Sequence, residues 1–243
     1  MSLYYQDEHV TLYHGDCREV MADMVDESVK AVITDPPYTE RTHAKARKKA
    51  GKVAGKDIVT EGVKSFGSIT DEDLAVILAE CGRVSEGWVI ATLDYRHAVE
   101  FDVSPPDGLK CQRLGVWVKT NPTPQITGDR PAQGWEAIAY LHRVKGRSKW
   151  NGGGLHGNYV SPIARPEGHP TAKPLPMLQD MVRKFTSAGD VVFDPFAGSG
   201  TTLRAAVDEG RRAIGVELEE RYCEIIARRL DQGVLDLARV SGD

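Results

Sequence analysis

"DVVFDPFAGSGTTLRAAVDEGRRAIGVELEERY" occupies residues 190–222. Apolar Val191 to Phe193 reads as a buried strand. A glycine-rich turn then opens a helical pattern, and "RAIGVE" forms a second strand ending on Glu217. Strand, helix and strand in this order imply parallel neighbours, because a parallel pair needs a crossover long enough to hold a helix. Gly198 and Gly200 let the backbone pass close to a ligand, and an acid at the second strand tip can accept both hydroxyls of a ribose. The usual dinucleotide pattern has a third glycine at position 203, where this chain has Leu203. A P-loop would need Gly-Lys-Ser/Thr, which does not occur. The residues therefore favour a nucleoside without a pyrophosphate. The competing reading is a tight strand-to-helix turn beside a solvated Glu217.

Outward from this unit, β-branched apolar runs alternate with helical patterns. Strands are expected near 10–14, 30–34, 87–93, 112–119, 135–142, 190–194 and 212–217. Helices are expected near 17–25, 71–84, 174–187, 200–210 and 218–231. Thr70 caps the second helix, with Asp71, Glu72 and Asp73 in its positive first turn. The pattern predicts an α/β fold: a Rossmann-like, doubly wound, mainly parallel sheet of about seven strands with helices on both faces. Residues 1–243 read as a single domain. Two stretches break the alternation, a basic, glycine-containing segment at 39–68 and a Gly- and Pro-rich one at 120–168. Long irregular segments in a compact domain are usually functional, and both are expected to overhang one edge of the sheet.

Composition bounds the function. The chain has 243 residues, 41% hydrophobic and 27% charged, with a net charge of −4. That balance suits a globule with a sizeable core. No apolar run reaches the ~20 residues of a membrane span, and the first ten residues do not read as a signal peptide. Cys17, Cys81, Cys111 and Cys223 lie far apart without a CxxC pair. This argues against a zinc site or disulfide framework and for a reducing, cytoplasmic setting. Residues 41–56 carry Arg41, Lys45, Arg47, Lys48, Lys49, Lys52 and Lys56 and no acid. A second basic stretch runs from 110 to 149. Both suggest a face for a polyanion, against the alternative of solvated loops.

A hydrophobic strand at 30–34 ends in "TDPPY". Alone, this is a rigid turn. In a parallel sheet, however, ligands sit at the carboxyl ends of the strands. Asp35, Asp194 and Glu217 end three strands and Asp16 follows a fourth, so four carboxylates are expected at one edge.

"DPFAGSGTT" resembles the S-adenosylmethionine loop of DNA amino-methyltransferases, and "TDPPY" resembles their catalytic loop. "YHGDCREVMADMVDESVKAVITDPPY", "VWVKTNPTP", "WEAIAYLHR" and "HPTAKP" resemble further elements of that family. With the catalytic loop first and the cofactor loop last, the motif order is similar to the β class, a permuted methyltransferase order. The resemblance implies methyl transfer from S-adenosylmethionine to the N6 of a flipped adenine in DNA. Cytosine-N4 methylation is the alternative reading, followed by a catalytically idle DNA-binding subunit. Cytosine-C5 chemistry is excluded because no cysteine follows a proline. The resemblance also admits a cognate restriction endonuclease and a homodimer as partners.

The same resemblance assigns residues. Asp35, Pro36, Pro37 and Tyr38 form the catalytic loop. The carboxylate and the Pro36 carbonyl accept from the amine, and the Tyr38 ring stacks on the base. Asp194, Pro195, Phe196, Ala197, Gly198, Ser199, Gly200, Thr201 and Thr202 hold the methionine part of the cofactor. Thr171 and Lys173 contact its carboxylate. Glu217, beside Leu218, binds the ribose, and Asp16, beside Cys17, meets the adenine. Asp16 reads equally as a helix N-cap, and Lys173 also reads as a surface lysine. Lys45, Arg47, Lys48 and Lys49 are expected DNA contacts on a flexible loop at 39–68. Lys119, Asn121 and Arg130 are expected DNA contacts in a short target-recognition insert at 120–168. "GWE" departs from a more usual His-Glu, so Glu136 receives no role. Trp117 and Trp135 read as core or cleft wall, and His169 as structural.

Overall fold

The computed structural model describes residues 1–37, 39, 52, 53, 56, 57, 69–125, 128–164 and 173–240. Most of the expected basic loop, including Lys45, Arg47, Lys48 and Lys49, lies outside the described residues. So do Tyr38, His169 and Thr171.

The chain begins with strands β1 (Ser2–Gln6) and β2 (Val10–His14), helix α1 (Cys17–Asp23) and strand β3 (Val29–Thr34). A two-residue antiparallel pair follows, β4 (Lys52–Val53) with β5 (Lys56–Asp57). Next come α2 (Asp71–Val84), β6 (Ser85–Leu93), α3 (Tyr95–Val103), β7 (Leu109–Lys119), β8 (Trp135–Arg143) and β9 (Tyr159–Ser161). The remainder is α4 (Leu175–Phe185), β10 (Val191–Asp194), α5 (Thr201–Asp208), β11 (Arg212–Glu217) and α6 (Glu220–Val240). None of the described helices is long and apolar enough to cross a membrane.

Nine strands form one sheet in the order β1-β2-β11-β10-β3-β6-β8-β7-β9. The block from β2 to β6 is parallel, whereas β8 runs antiparallel to both β6 and β7. All seven expected strands are present. The two beyond them, β1 and β9, are edge strands with little buried surface, so they lack a strong hydrophobic signature. Helix α3 was also not expected. It is nine residues long, is capped by Asp94, and buries just His97, Ala98 and Phe101.

Side-chain alternation sorts the core into two layers. Ile33, Ile90, Ile138, Tyr140 and Val192 face α4, α5 and α6. Their neighbours Val32, Val89, Ala139, Leu141 and Phe193 face α1, α2 and α3. At α2 the expected start signal is a full capping box, with Thr70 and Asp73 each bonding the other's backbone.

The absent third glycine has a structural answer. A Cβ on Gly215 in β11 would lie 2.6 Å from Leu203 Cδ1. Helix and strand thus approach closely here too, with the glycine on the strand and the side chain on the helix.

Candidate active site

From β10 the chain crosses through α5 to β11, on one face of the sheet. From β3 it crosses through α2 to β6, on the other face. The winding therefore reverses between β3 and β10, and a crevice opens at their carboxyl ends. The β3–β10 ladder covers Val192–Ala31 and Phe193–Val32. Beyond it a side-chain bond takes over, with Thr34 Oγ1 donating to Asp194 Oδ1 at 2.7 Å. The Phe196 amide donates to the same oxygen at 3.1 Å. Burial pushes the Asp194 carboxyl up to about 6, although hydrogen bonds from Thr202, Thr34 and Phe196 oppose the rise.

The glycine loop follows. Gly198 and Gly200 have φ values of 53° and 78°, the left-handed region that other residues enter at a cost. A Cβ on Gly200 would also meet Ile226 at 2.9 Å. The Gly198 and Glu219 amides donate to Glu217 Oε2 and Oε1, each at 2.8 Å. Burial pushes the Glu217 carboxyl up to about 7, with Glu219 and Asp194 adding to the rise and the two amides opposing it.

Asp35 extends β3 into the crevice, with Pro36 buried behind it. Thr92, near the end of β6, donates to Asp35 Oδ1, and the Lys173 ammonium donates to Oδ2. Lys173 Nζ also lies 3.3 Å from Glu136 Oε2, and Lys119 Nζ donates to Glu136 Oε1 at 2.5 Å. Both ammonium groups lie over the Trp117 ring. A small cleft beside the ends of β3 and β6 is lined by Thr34, Asp35, Thr92, Lys173 and Thr202. Asp35 adds to the rise of Asp194, and Asp194 to that of Glu217, so these three carboxylates gather at one rim as expected.

Several of these residues make contacts that the sequence did not specify. Lys173 rests on Asp35 and Glu136. Lys119, expected on DNA, is turned inward onto Glu136. Glu136, given no role, is central to the charge cluster. A charged residue inside the apolar strand "WEAIAYLHR" was the available signal. Thr34 and Thr92 carried no comparable signal, since threonine is common in strands. Asp16 is the N-cap of α1, accepting from the Arg18 amide, and its side chain is clasped by the Arg18 guanidinium. Cys17 is buried in the second core, where its thiol is pushed up to about 12, so at most its backbone faces a ligand.

The described part of the second irregular stretch is divided between two edges. Residues 120–125, 128–134 and 162–164 adjoin strand ends at the rim that carries Asp35. The segment after Arg143 leaves at the opposite edge, because β8 is antiparallel to β6. Lys110, Arg143, Lys145, Arg147 and Lys149 therefore stand away from Asp35, which splits the second basic stretch. Asn121 Oδ1 accepts from the Ile163 amide at 2.6 Å and tethers the two rim segments. Arg130 is exposed and pairs with Asp129 at 2.9 Å. Leu218 is exposed beside Glu217, while Trp117 is buried and Trp135 is exposed.

Comparison with known proteins accords with this geometry. Residues 116–228 match the family model described as DNA methylase. Type II methyltransferase M.HinfI of Haemophilus influenzae is 28% identical over 90% of this chain and 68% of that protein. Type II methyltransferase M2.DpnII of Streptococcus pneumoniae is 26% identical over 94% of this chain and 92% of that one. Two solved structures share the fold. M1.HpyAVI in complex with S-adenosylmethionine has a TM-score of 0.66 at 24% identity, over 90% of this chain and 99% of that one. PvuII DNA methyltransferase, cytosine-N4-specific, has a TM-score of 0.69 at 15% identity, over 93% of this chain and 87% of that one. These similarities, in sequence to DNA methyltransferases and in fold to one solved with S-adenosylmethionine, support reading the chain as an S-adenosylmethionine-dependent DNA amino-methyltransferase.

Proposed function

We propose that the protein methylates the exocyclic N6 of an adenine turned out of DNA, with the motif order of the β class. The observation that carries this reading is the meeting of Asp35 and Asp194 at the switch point, joined through Thr34.

The residues present fit S-adenosylmethionine. Two left-handed glycines bring backbone close to the crevice, and Glu217 offers carboxylate oxygens to ribose hydroxyls. Asp194 and Glu217 are both held above the ordinary carboxyl range by burial, a cost that a cation or hydroxyl donors would offset. When bound, the cofactor supplies an electrophilic methyl group on a sulfonium.

The chain's own work is on the amine. An exocyclic amine is a poor nucleophile because its lone pair is delocalised into the ring. Asp35 accepts a hydrogen bond from it, favours tetrahedral nitrogen, and stabilises the positive charge that develops there. Pro36 and Pro37 fix φ, so the Pro36 carbonyl is set before the base arrives. Tyr38 stacks on the extruded base, at roughly 1–3 kcal/mol. Aspartate in this motif, by family resemblance, favours adenine. Arg47, Lys48 and Lys49 attract the phosphate backbone.

The test is expression in a methylation-free bacterial host, followed by genomic sequencing sensitive to modified bases. N6-methyladenine in a defined context is expected. N4-methylcytosine would overturn the choice of base, and unmodified DNA would overturn the activity.

A further inference from the structure

Asp35 has both carboxylate oxygens engaged, Oδ1 by the Thr92 hydroxyl and Oδ2 by the Lys173 ammonium. An ammonium in that position cancels much of the field a carboxylate would offer a target amine. Transfer is therefore favoured when Lys173 shifts away from Oδ2. Its other anionic neighbour is at hand, with Glu136 Oε2 3.3 Å from Nζ.

Glu136 is itself fixed. Lys119 holds its other oxygen at 2.5 Å, and the side chains of Lys119 and Glu136 are 15% and 13% exposed. Both ammonium groups lie over the Trp117 ring, 5.1 and 5.9 Å from its centroid. Neither leaves without losing a cation–π contact. The register pairs Glu136 with Trp117, and Ala137 with Leu93 at the end of β6, so Glu136 stands on the catalytic rim. Burial alone would raise its carboxyl, but Lys173 and Lys119 overcome that and hold it below the ordinary range. Two carboxylates and two ammonium groups thus balance. Without the Glu136 charge, two ammonium groups would face one carboxylate, and Lys173 would be held on Asp35.

We infer that Glu136 is a positioning residue for methyl transfer. It is the second anchor of Lys173, drawing the ammonium off Asp35 as the target amine arrives and leaving Asp35 charged toward that amine. The inference rests on the role of Asp35 proposed above.

The test measures single-turnover transfer of tritiated methyl, at saturating cofactor, to unmethylated genomic DNA from a methylation-deficient host. Calorimetry follows cofactor binding. Glu136→Gln should slow transfer about 30-fold while the cofactor Kd stays within about threefold. Glu136→Asp, which keeps the charge, should be slowed about five- to tenfold and serves if the glutamine variant does not fold. In a Lys173→Met background, where no ammonium needs drawing away, Glu136→Gln should change the rate less than about twofold. An equal loss in both backgrounds would mark a merely structural role and overturn the inference, as would an unimpaired Glu136→Gln. A wild-type protein that places no label in this DNA would instead overturn the methyl-transfer reading, and the inference with it.

Discussion

Thr34 donates its hydroxyl to Asp194 Oδ1 across 2.7 Å, and that bond joins the strand that leads into Asp35 to the strand that opens the glycine loop. Asp35 follows one of these residues, and Pro195 and Phe196 follow the other. The proposed amine and cofactor halves of the site are thereby held in register at a point where the backbone ladder has ended.

Thr34→Val should raise the Asp194 carboxyl further, since it removes one of the bonds opposing the effect of burial. The expected loss of stability is about 1–2 kcal/mol, read from urea unfolding. Cofactor affinity should fall at the same time.

Asp35→Ala should lower transfer by about 10²–10³-fold or more, because the acceptor acts on the amine as charge develops. Cofactor binding should stay within a few-fold by calorimetric titration. Loss of both together would contradict a role centred on the amine.

In its proposed role at the ribose, Glu217 should link cofactor affinity to pH. Its carboxyl stands at about 7, against an ordinary 4.5, so it is largely protonated at pH 6 and charged at pH 8. The charged form is acceptor-only and makes the stronger bonds to two ribose hydroxyls. Affinity should therefore rise between pH 6 and 8, and Glu217→Gln should flatten the profile. The stability of the unliganded protein should follow the opposite trend. Its folded state holds this proton while the unfolded state has released it, so this group's contribution falls as pH climbs from 4.5 toward 7.

Gly215→Ala should cost about 1–3 kcal/mol, because the new methyl would lie 2.6 Å from Leu203 Cδ1. Pairing it with Leu203→Ala should cost less than the two single losses added together. Strict additivity in thermal or urea unfolding would rule out this contact as the cause.

His97 joins the start of α3 to the start of α2. Its Nδ1 lies 2.5 Å from Asp94 and its Nε2 lies 3.0 Å from Asp71. Asp94 raises its pKa above 6.5, burial opposes the rise, and Asp71 supports it. A raised histidine contributes fully below its unfolded value and loses that contribution as pH passes its folded value. Melting temperature should therefore fall from pH 6 upward into the mildly alkaline range. His97→Gln should remove this part of the pH dependence.

Much of the site was legible without coordinates because its parts are local. The glycine loop, the strand before it and Glu217 lie within one β-α-β unit, where hydrophobic period and glycine placement are set by near neighbours in the chain. "TDPPY" is likewise a strand and the turn that ends it. All seven strands expected from such runs are present; the misses were β1, β9 and α3, which have little buried surface, and the two-residue strands β4 and β5.

What the amino-acid order determined by itself was a parallel α/β sheet with carboxylates at its strand tips. Tertiary structure alone decided which charges meet. Lys173 and Asp35 are 138 positions apart, and Lys119 reaches Glu136 across an antiparallel pair. It also sent Arg143 and Lys149 to the edge away from Asp35, because β8 reverses direction. Periodicity tells a side chain which face of its own strand it occupies. The neighbour across that face is set by strand order and register, which arise from burying both layers of the core at once.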